Sequence, residues 1–279
     1  MTTALSALGG ASRQSLAAAR TSLDNVLKTS SAADASALAT DLFAVVAALD
    51  SSTPLRRAIT DASRDAASKS MLVSDLFSKT ISATALQLVS GLAALRWSSP
   101  SNFGDVLEQL AVESEASAAA VDQEIDRLED EIFSFSQLVA SDSDLRQVLN
   151  SGKYSGEGKR SLVAGILGTK VSASTTRLLS HLVNGLRGRN IESTIAFYAD
   201  ATAARKARAI AHVRSAVALT DSQKDKLTKS LSQKIGQPVR LNVEIDSTVL
   251  GGISIRFADE LIDATIVSRL ADAGRALAV

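Results

Sequence analysis

Sliding this chain along itself by 90 positions brings Asp34–Leu92 onto Glu124–Leu182 without a gap, and no other feature restricts its fold as tightly. Identical pairs include Leu38/Leu128, Phe43/Phe133, Leu55/Leu145, Arg56/Arg146, Lys69/Lys159, Leu72/Leu162, Val73/Val163, Leu88/Leu178 and Leu92/Leu182. Leu42/Ile132, Ile59/Leu149, Leu76/Ile166, Ile81/Val171 and Val89/Leu179 are similar. Most of these residues are apolar and recur at helical spacing, so what is repeated is the buried face of a helical unit. A chain of 279 residues that holds such a unit twice has room for one more compact piece.

Composition agrees with helices. Apolar residues make up 46% and charged residues 22%, Pro occurs three times, and Ala, Leu and Ser dominate. The 30 basic and 30 acidic residues cancel, where a nucleic-acid binder shows a basic excess. No Cys is present, which excludes disulfides and thiolate metal sites. The first ten residues lack the basic flank and apolar stretch of a signal peptide. No uninterrupted apolar run approaches the roughly 20 residues that span a bilayer, so a place at a membrane requires a partner chain.

Within the first copy, Asp34 is placed to cap a helix through Leu49, and Ser51-Ser52-Thr53-Pro54 breaks it and opens the next. Ser82 opens a helix with Ala85, Leu88, Val89 and Leu92 on one stripe, and Ser98-Ser99-Pro100-Ser101 marks a turn. From Asn102 to Ala140 the pattern predicts one long helix joining the copies. Asp105, Glu108, Glu113, Glu115, Asp122, Glu124, Asp126, Glu129, Asp130 and Glu131 stand there against Arg127 alone. They read as a solvated face, or as an acidic face for a basic partner helix.

The last quarter changes character. A helix is expected from Asp221 to Ile235, ended by Gly236 and Pro238. Val239–Ile245 and Ile253–Phe257 alternate apolar and polar residues as half-buried strands do, with a third strand over Ile210–Val217. Asp263 is expected to open a final helix with Ile266, Leu270 and Leu277 inward. The fold class is therefore mostly α: two related helical bundles joined by a long helix, then a small α+β domain. The boundaries fall at 1–117, 118–205 and 206–279.

Nothing in this pattern supplies chemistry. A catalytic or metal site needs clustered His, Cys and carboxylates, and only His181 and His212 occur, each on or near an apolar segment as a structural histidine. Gly251-Gly252 lacks the Lys-Ser/Thr ending of a phosphate loop. Trp97 and Tyr198 read as packing residues at bundle edges. Catalytic, cofactor and metal residues are all expected to be none. The residues alone leave a scaffold or a helical adaptor of some multisubunit assembly, with an enzyme disfavoured.

The C-terminal quarter is more specific. Ala216-Val217-Ala218-Leu219-Thr220, Val239–Asp246, Val249-Leu250-Gly251-Gly252-Ile253-Ser254-Ile255, Asp259-Glu260-Leu261-Ile262-Asp263-Ala264-Thr265 and Ser268-Arg269-Leu270 follow one another in order. The series resembles the C-terminal signature of the F-type ATP synthase delta subunit family, whose mitochondrial counterpart is the oligomycin sensitivity-conferring protein. The resemblance marks Gly251, Gly252, Asp263, Thr265, Arg269 and Leu270 as signature positions. Ala264 stands where the family usually has Gly. The first copy resembles the family's N-terminal six-helix bundle, which makes the second copy an insertion of the kind seen in enlarged actinobacterial subunits.

The resemblance implies a non-catalytic stator. Its N-terminal bundle would hold the alpha-subunit N-termini atop the catalytic head, with beta subunits nearby. Its C-terminal domain would hold the end of the b subunit. The chain would sit peripherally at the cytoplasmic face of the cell membrane, bound there through partner chains, with no nucleic acid and no cofactor. A helical ligand of the bundle needs a groove between two helices. The richest leucine stripes for one are Leu16, Leu23 and Leu27 on the opening helix and Leu88, Leu92 and Leu95 on the fifth.

Overall fold

The computed structural model describes residues 8–208, 210–235, 239–246, 253–257 and 260–263. They form two compact units, 1–203 and 204–279. The first unit contains α1 (Gly10–Leu27), α2 (Ala32–Ser51), α3 (Thr53–Thr60), α4 (Ala66–Phe77), α5 (Ala83–Ala94) and α6 (Pro100–Val121). It continues through α7 (Ile125–Ser141), α8 (Ser143–Asn150), α9 (Gly156–Leu167), α10 (Ala173–Asn184) and most of α11 (Ile191–Arg208).

The repeat is written in the element boundaries. The helices α3, α4 and α5 begin and end 90 positions before α8, α9 and α10. Their caps recur as well. Ser52 and Asp142 cap α3 and α8, Asp65 and Ser155 cap α4 and α9, and Ser82 and Ser172 cap α5 and α10. Each cap side chain accepts a hydrogen bond from a backbone N–H of the first turn, which is why Ser and Asp hold these positions. At the start of α2 the cap is Ser31, and Asp34 answers it from the third helical position in a capping box. Asp34 is thus the second half of the cap expected of it alone.

The long helix expected from Asn102 to Ala140 is two helices. α6 stops at Val121, and Gln123 takes a left-handed backbone (φ 62°). Glu124 N–H donates to Ala119 O at 2.7 Å and Gln123 N–H to Ala120 O at 3.1 Å, the paired bonds of a Schellman stop. Neither Gly nor Pro announces that stop, so the residue pattern alone does not show it.

One continuous apolar core runs through both copies, from Leu8 to Ala201. α6 lies at its centre. From Val106 to Ala120 every residue of α6 is buried, charged ones included. A helix buried on all faces belongs to the interior of a larger body. α6 closes the first copy after α5 and opens the second before α7, so the copies share it. α2 packs closely along α6. By length and composition α2 is also apolar enough to cross a bilayer, but here its leucines and valines are core residues.

The second unit holds β1 (Ile210–Ser215), α12 (Asp221–Ile235), β2 (Arg240–Ile245), β3 (Ile253–Phe257) and β4 (Glu260–Asp263). The sheet order is β2-β1-β3-β4, with β1 parallel to β2 and antiparallel to β3. Val213 sits in register between Val243 and Ile255, and Leu231 of α12 joins their small core. The three expected strands are present. Asp263 is the last residue of β4; the helix expected to open there, with Ile266, Leu270 and Leu277, lies outside the described residues.

Candidate partner-binding groove

α1 and α5 run antiparallel and side by side. Ser15 Oγ donates to Arg96 O at 2.6 Å, and Ser12 exchanges hydrogen bonds with Ser98. Of the six leucines on these stripes, Leu23, Leu27, Leu88 and Leu92 are buried in the core, while Leu16 and Leu95 are half-buried. The four therefore form a floor inside the core. The exposed residues of the two helices include small and polar ones: Ala17, Ala18 and Thr21 on α1, and Ala83, Gln87 and Gly91 on α5. Gly91 lies in the last turn of α5, and a Cβ built there would meet nothing within 4 Å.

The second copy has the same pair of helices in α6 and α10, and there the seam is covered. α2 of the first copy lies along it. Ser36 Oγ donates to Glu115 Oε2 at 2.7 Å, and Ser114 Oγ donates to the Ala35 carbonyl at 2.8 Å. The other Glu115 oxygen accepts from Arg177 of α10 at 2.7 Å, so one buried carboxylate ties three helices together. Further along, the Phe43 ring stacks on the His181 ring with centroids 4.1 Å apart. Asp50 then accepts from Arg187 at 2.8 Å. Toward the α2 N-terminus the facing side chains are small, and an open cleft of about 630 Å³ remains between Ala33, Ser36, Ala37 and Ala173, Arg177.

Beyond Phe43 lies a buried charge cluster. Glu108 accepts from Arg187 at 2.9 Å and from Arg189 at 2.6 Å, and Arg187 also pairs with Asp105 at 3.0 Å. Arg187 reaches α6 because Gly104 offers no Cβ, which would lie 2.5 Å from its guanidinium. Tyr198 is fully buried next to Glu108, and burial pushes its phenol well above the usual range. It belongs to the centre of the joint, not to an edge. Burial also pushes the Asp105 carboxyl up, against the pull of Arg187. Glu113 takes two hydrogen bonds from Arg20 of α1, at 2.8 and 2.7 Å.

Three carboxylates expected on a solvated or partner-facing stripe, Glu108, Glu113 and Glu115, are therefore interior and paired within the chain. The arginines that meet them come from α1, α10 and the loop after α10, far off in sequence, and local reading had no means to pair them. Among the described residues there is no group of three or more His, Cys, Asp or Glu placed to hold a metal. Of the signature positions, Asp263 ends β4, and Gly251, Gly252, Thr265, Arg269 and Leu270 lie outside the described residues.

Residues 113–277 match the family described as ATP synthase delta (OSCP) subunit. That stretch begins inside α6 and holds the second copy and the C-terminal unit. The chain is 40% identical over 274 residues to the ATP synthase subunit delta of Streptomyces coelicolor, covering 98% of this chain and all of that protein. To that of Streptomyces griseus it is 38% identical over 271 residues, covering 97% and 100%. To that of Thermobifida fusca it is 38% identical over 269 residues, covering 96% and 99%. The relatives are thus matched from end to end, both copies included.

Proposed function

The chain belongs to the ATP synthase delta (OSCP) subunit family, a family of non-catalytic subunits, and from that premise we propose that it is the stator link between the catalytic head and the membrane-anchored b subunit. The first unit grips the N-terminal helices of the alpha subunits, and the C-terminal unit holds the end of b. The chain then works at the cytoplasmic face of the membrane through these partners. Rotor torque is resisted only while both attachments hold, so the work is adhesive and elastic, and no group has to titrate or attack.

The observation that carries the head contact is the bare α1–α5 seam. Its two helices lie side by side over buried Leu23, Leu27, Leu88 and Leu92, and carry exposed small residues such as Ala18, Ala83 and Gly91. An amphipathic helix laid there buries apolar area worth roughly 25 cal/mol per Å². The test is reconstitution. Membranes stripped of the chain should hydrolyse ATP without building a proton gradient, and the full-length chain should restore pumping and co-purify with alpha and beta. Ala18→Glu, a charge on the seam, should restore neither. Full coupling by that variant would overturn the proposed head contact.

A further inference from the structure

Equivalent helix pairs flank two seams in this protein, and one of them is already occupied. The occupant, α2, shows how a helix lies in such a seam. Its Ala33 lies by Ala173, its Phe43 on His181 and its Asp50 by Arg187, so α2 and α10 run in the same direction. Ser36 meets Glu115 and Asp50 shares Arg187 with Asp105, so α2 runs opposite to α6. The closed seam belongs to the copy inside the family-matched stretch. The open one belongs to the copy that precedes most of it.

A second observation points to the same place. The repeat register sets Gly91 of α5 opposite His181 of α10. His181 is where α2 presses hardest on its seam, ring on ring. Gly91 is exposed and surrounded by open space, so neither packing nor backbone angle requires a glycine there. Gly inside a helix costs up to about 1 kcal/mol relative to Ala. Close approach of another backbone gives the glycine a reason.

We propose that α2 is an internal ligand that closes the helix-binding seam of the second copy, leaving the α1–α5 seam open among the described residues, and that the partner helix crosses this seam at Gly91 in the orientation of α2. The inference rests on the proposed head contact and adds stoichiometry, direction and crossing point. The partner helix runs with α5 and against α1. It carries small residues over Ala83 and Gln87, and either close backbone or one bulky side chain over Gly91, where the first copy lacks the imidazole that meets Phe43.

The test uses the full-length chain and a synthetic peptide spanning the N-terminal helix of the alpha subunit, followed by calorimetry. One peptide should bind per chain. Gly91→Ala should raise the melting temperature of the free chain and still weaken binding, and Gly91→Leu should weaken it by about tenfold or more. His181→Leu, at the matching position of the closed seam, should leave affinity unchanged. A photo-crosslinker at the peptide's N-terminal end should label the chain near Ala83, and one at its C-terminal end near Leu95. Two peptides per wild-type chain, equal affinity of Gly91→Leu, or reversed labelling would each overturn this inference while sparing the head contact. No binding to the wild-type chain would overturn both.

Discussion

Removing the Glu108 carboxylate should unfold the joint between the copies before it harms anything else. Its side chain is 3% exposed, and the guanidiniums it pairs, Arg187 and Arg189, are 8% and 15% exposed. Deleting one partner of a buried ion pair typically costs about 3–5 kcal/mol, because the other charge stays buried without compensation. Arg187 keeps Asp50 at 2.8 Å and Asp105 at 3.0 Å, so the loss falls on Arg189 and Tyr198. That places Glu108→Ala near the lower end, about 3 kcal/mol. For a unit of this size each kcal/mol moves the melting point by about 2–4 °C, so a fall of roughly 6–12 °C is expected. Trp97 is the single tryptophan and packs against Phe103 of α6 at 5.3 Å, so its fluorescence follows the affected unit. The double variant Glu108→Met, Arg189→Met should recover most of the loss, since apolar replacements of a buried pair are often neutral. High salt should not reduce the effect, because interior pairs are poorly screened. A melting point within about 2 °C of wild type would refute the reasoning.

Three smaller experiments test the same architecture. Phe43→Ala should cost about 3–5 kcal/mol, and the same change at Phe133, which is 63% exposed, less than about 0.5 kcal/mol; equal costs in chemical denaturation would mean that α2 and α7 share one environment. Gly104→Ala should destabilise by roughly 1–3 kcal/mol, because the new methyl meets a guanidinium already fixed by three carboxylates; an unchanged melting point would place Arg187 elsewhere. Burial holds the His181 pKa below its usual 6.5, against the pull of Glu115 and with the help of Arg160. The unfolded chain then takes up a proton that the folded chain refuses, so stability is complete above about pH 6.5 and falls as pH drops below it. His181→Phe should flatten that part of the melting-point profile, and a parallel profile would exclude this histidine as its source.

What the sequence revealed and what it hid divide along the range of the interactions. Helix starts marked by Ser52 or Ser82 were legible, because a cap is a bond between neighbours in the chain. The three strands were legible from alternation over a few residues. The stop after Val121 was hidden, since its left-handed residue is Gln123 and not Gly. The paired leucines gave the repeat correctly but a misleading picture of its surface. Phe43 and Phe133 match in register, yet one is 7% exposed against His181 and the other 63% exposed. An ungapped repeat shows which face each copy buries within itself, and says nothing of which copy has a neighbour. The six leucines proposed for the groove carry the same lesson: four of them, Leu23, Leu27, Leu88 and Leu92, are core residues, and the exposed positions of α1 and α5 include Ala, Thr, Gln and Gly that no hydrophobic pattern marks.

The shared helix also bears on how such a link can carry load. Two bundles joined by an exposed linker would bend at the linker, since few contacts cross it. Here the connection is α6, and pulling the copies apart means exposing a helix that is buried from Val106 to Ala120. It also means separating Asp50 from Arg187 and Phe43 from His181, and, on whichever side α6 is lost, either Arg20 from Glu113 or Arg177 from Glu115 and Arg187 and Arg189 from Glu108. Charges torn from such pairs do not regain water until separation is well advanced, so the resistance rises steeply at small displacement. A stator working under reversing torque needs that stiffness between its two attachments. The same construction closes the seam of the second copy with α2. Fusing the copies therefore stiffens the first unit and, in the stator role proposed for it, leaves the α1–α5 seam to hold the head.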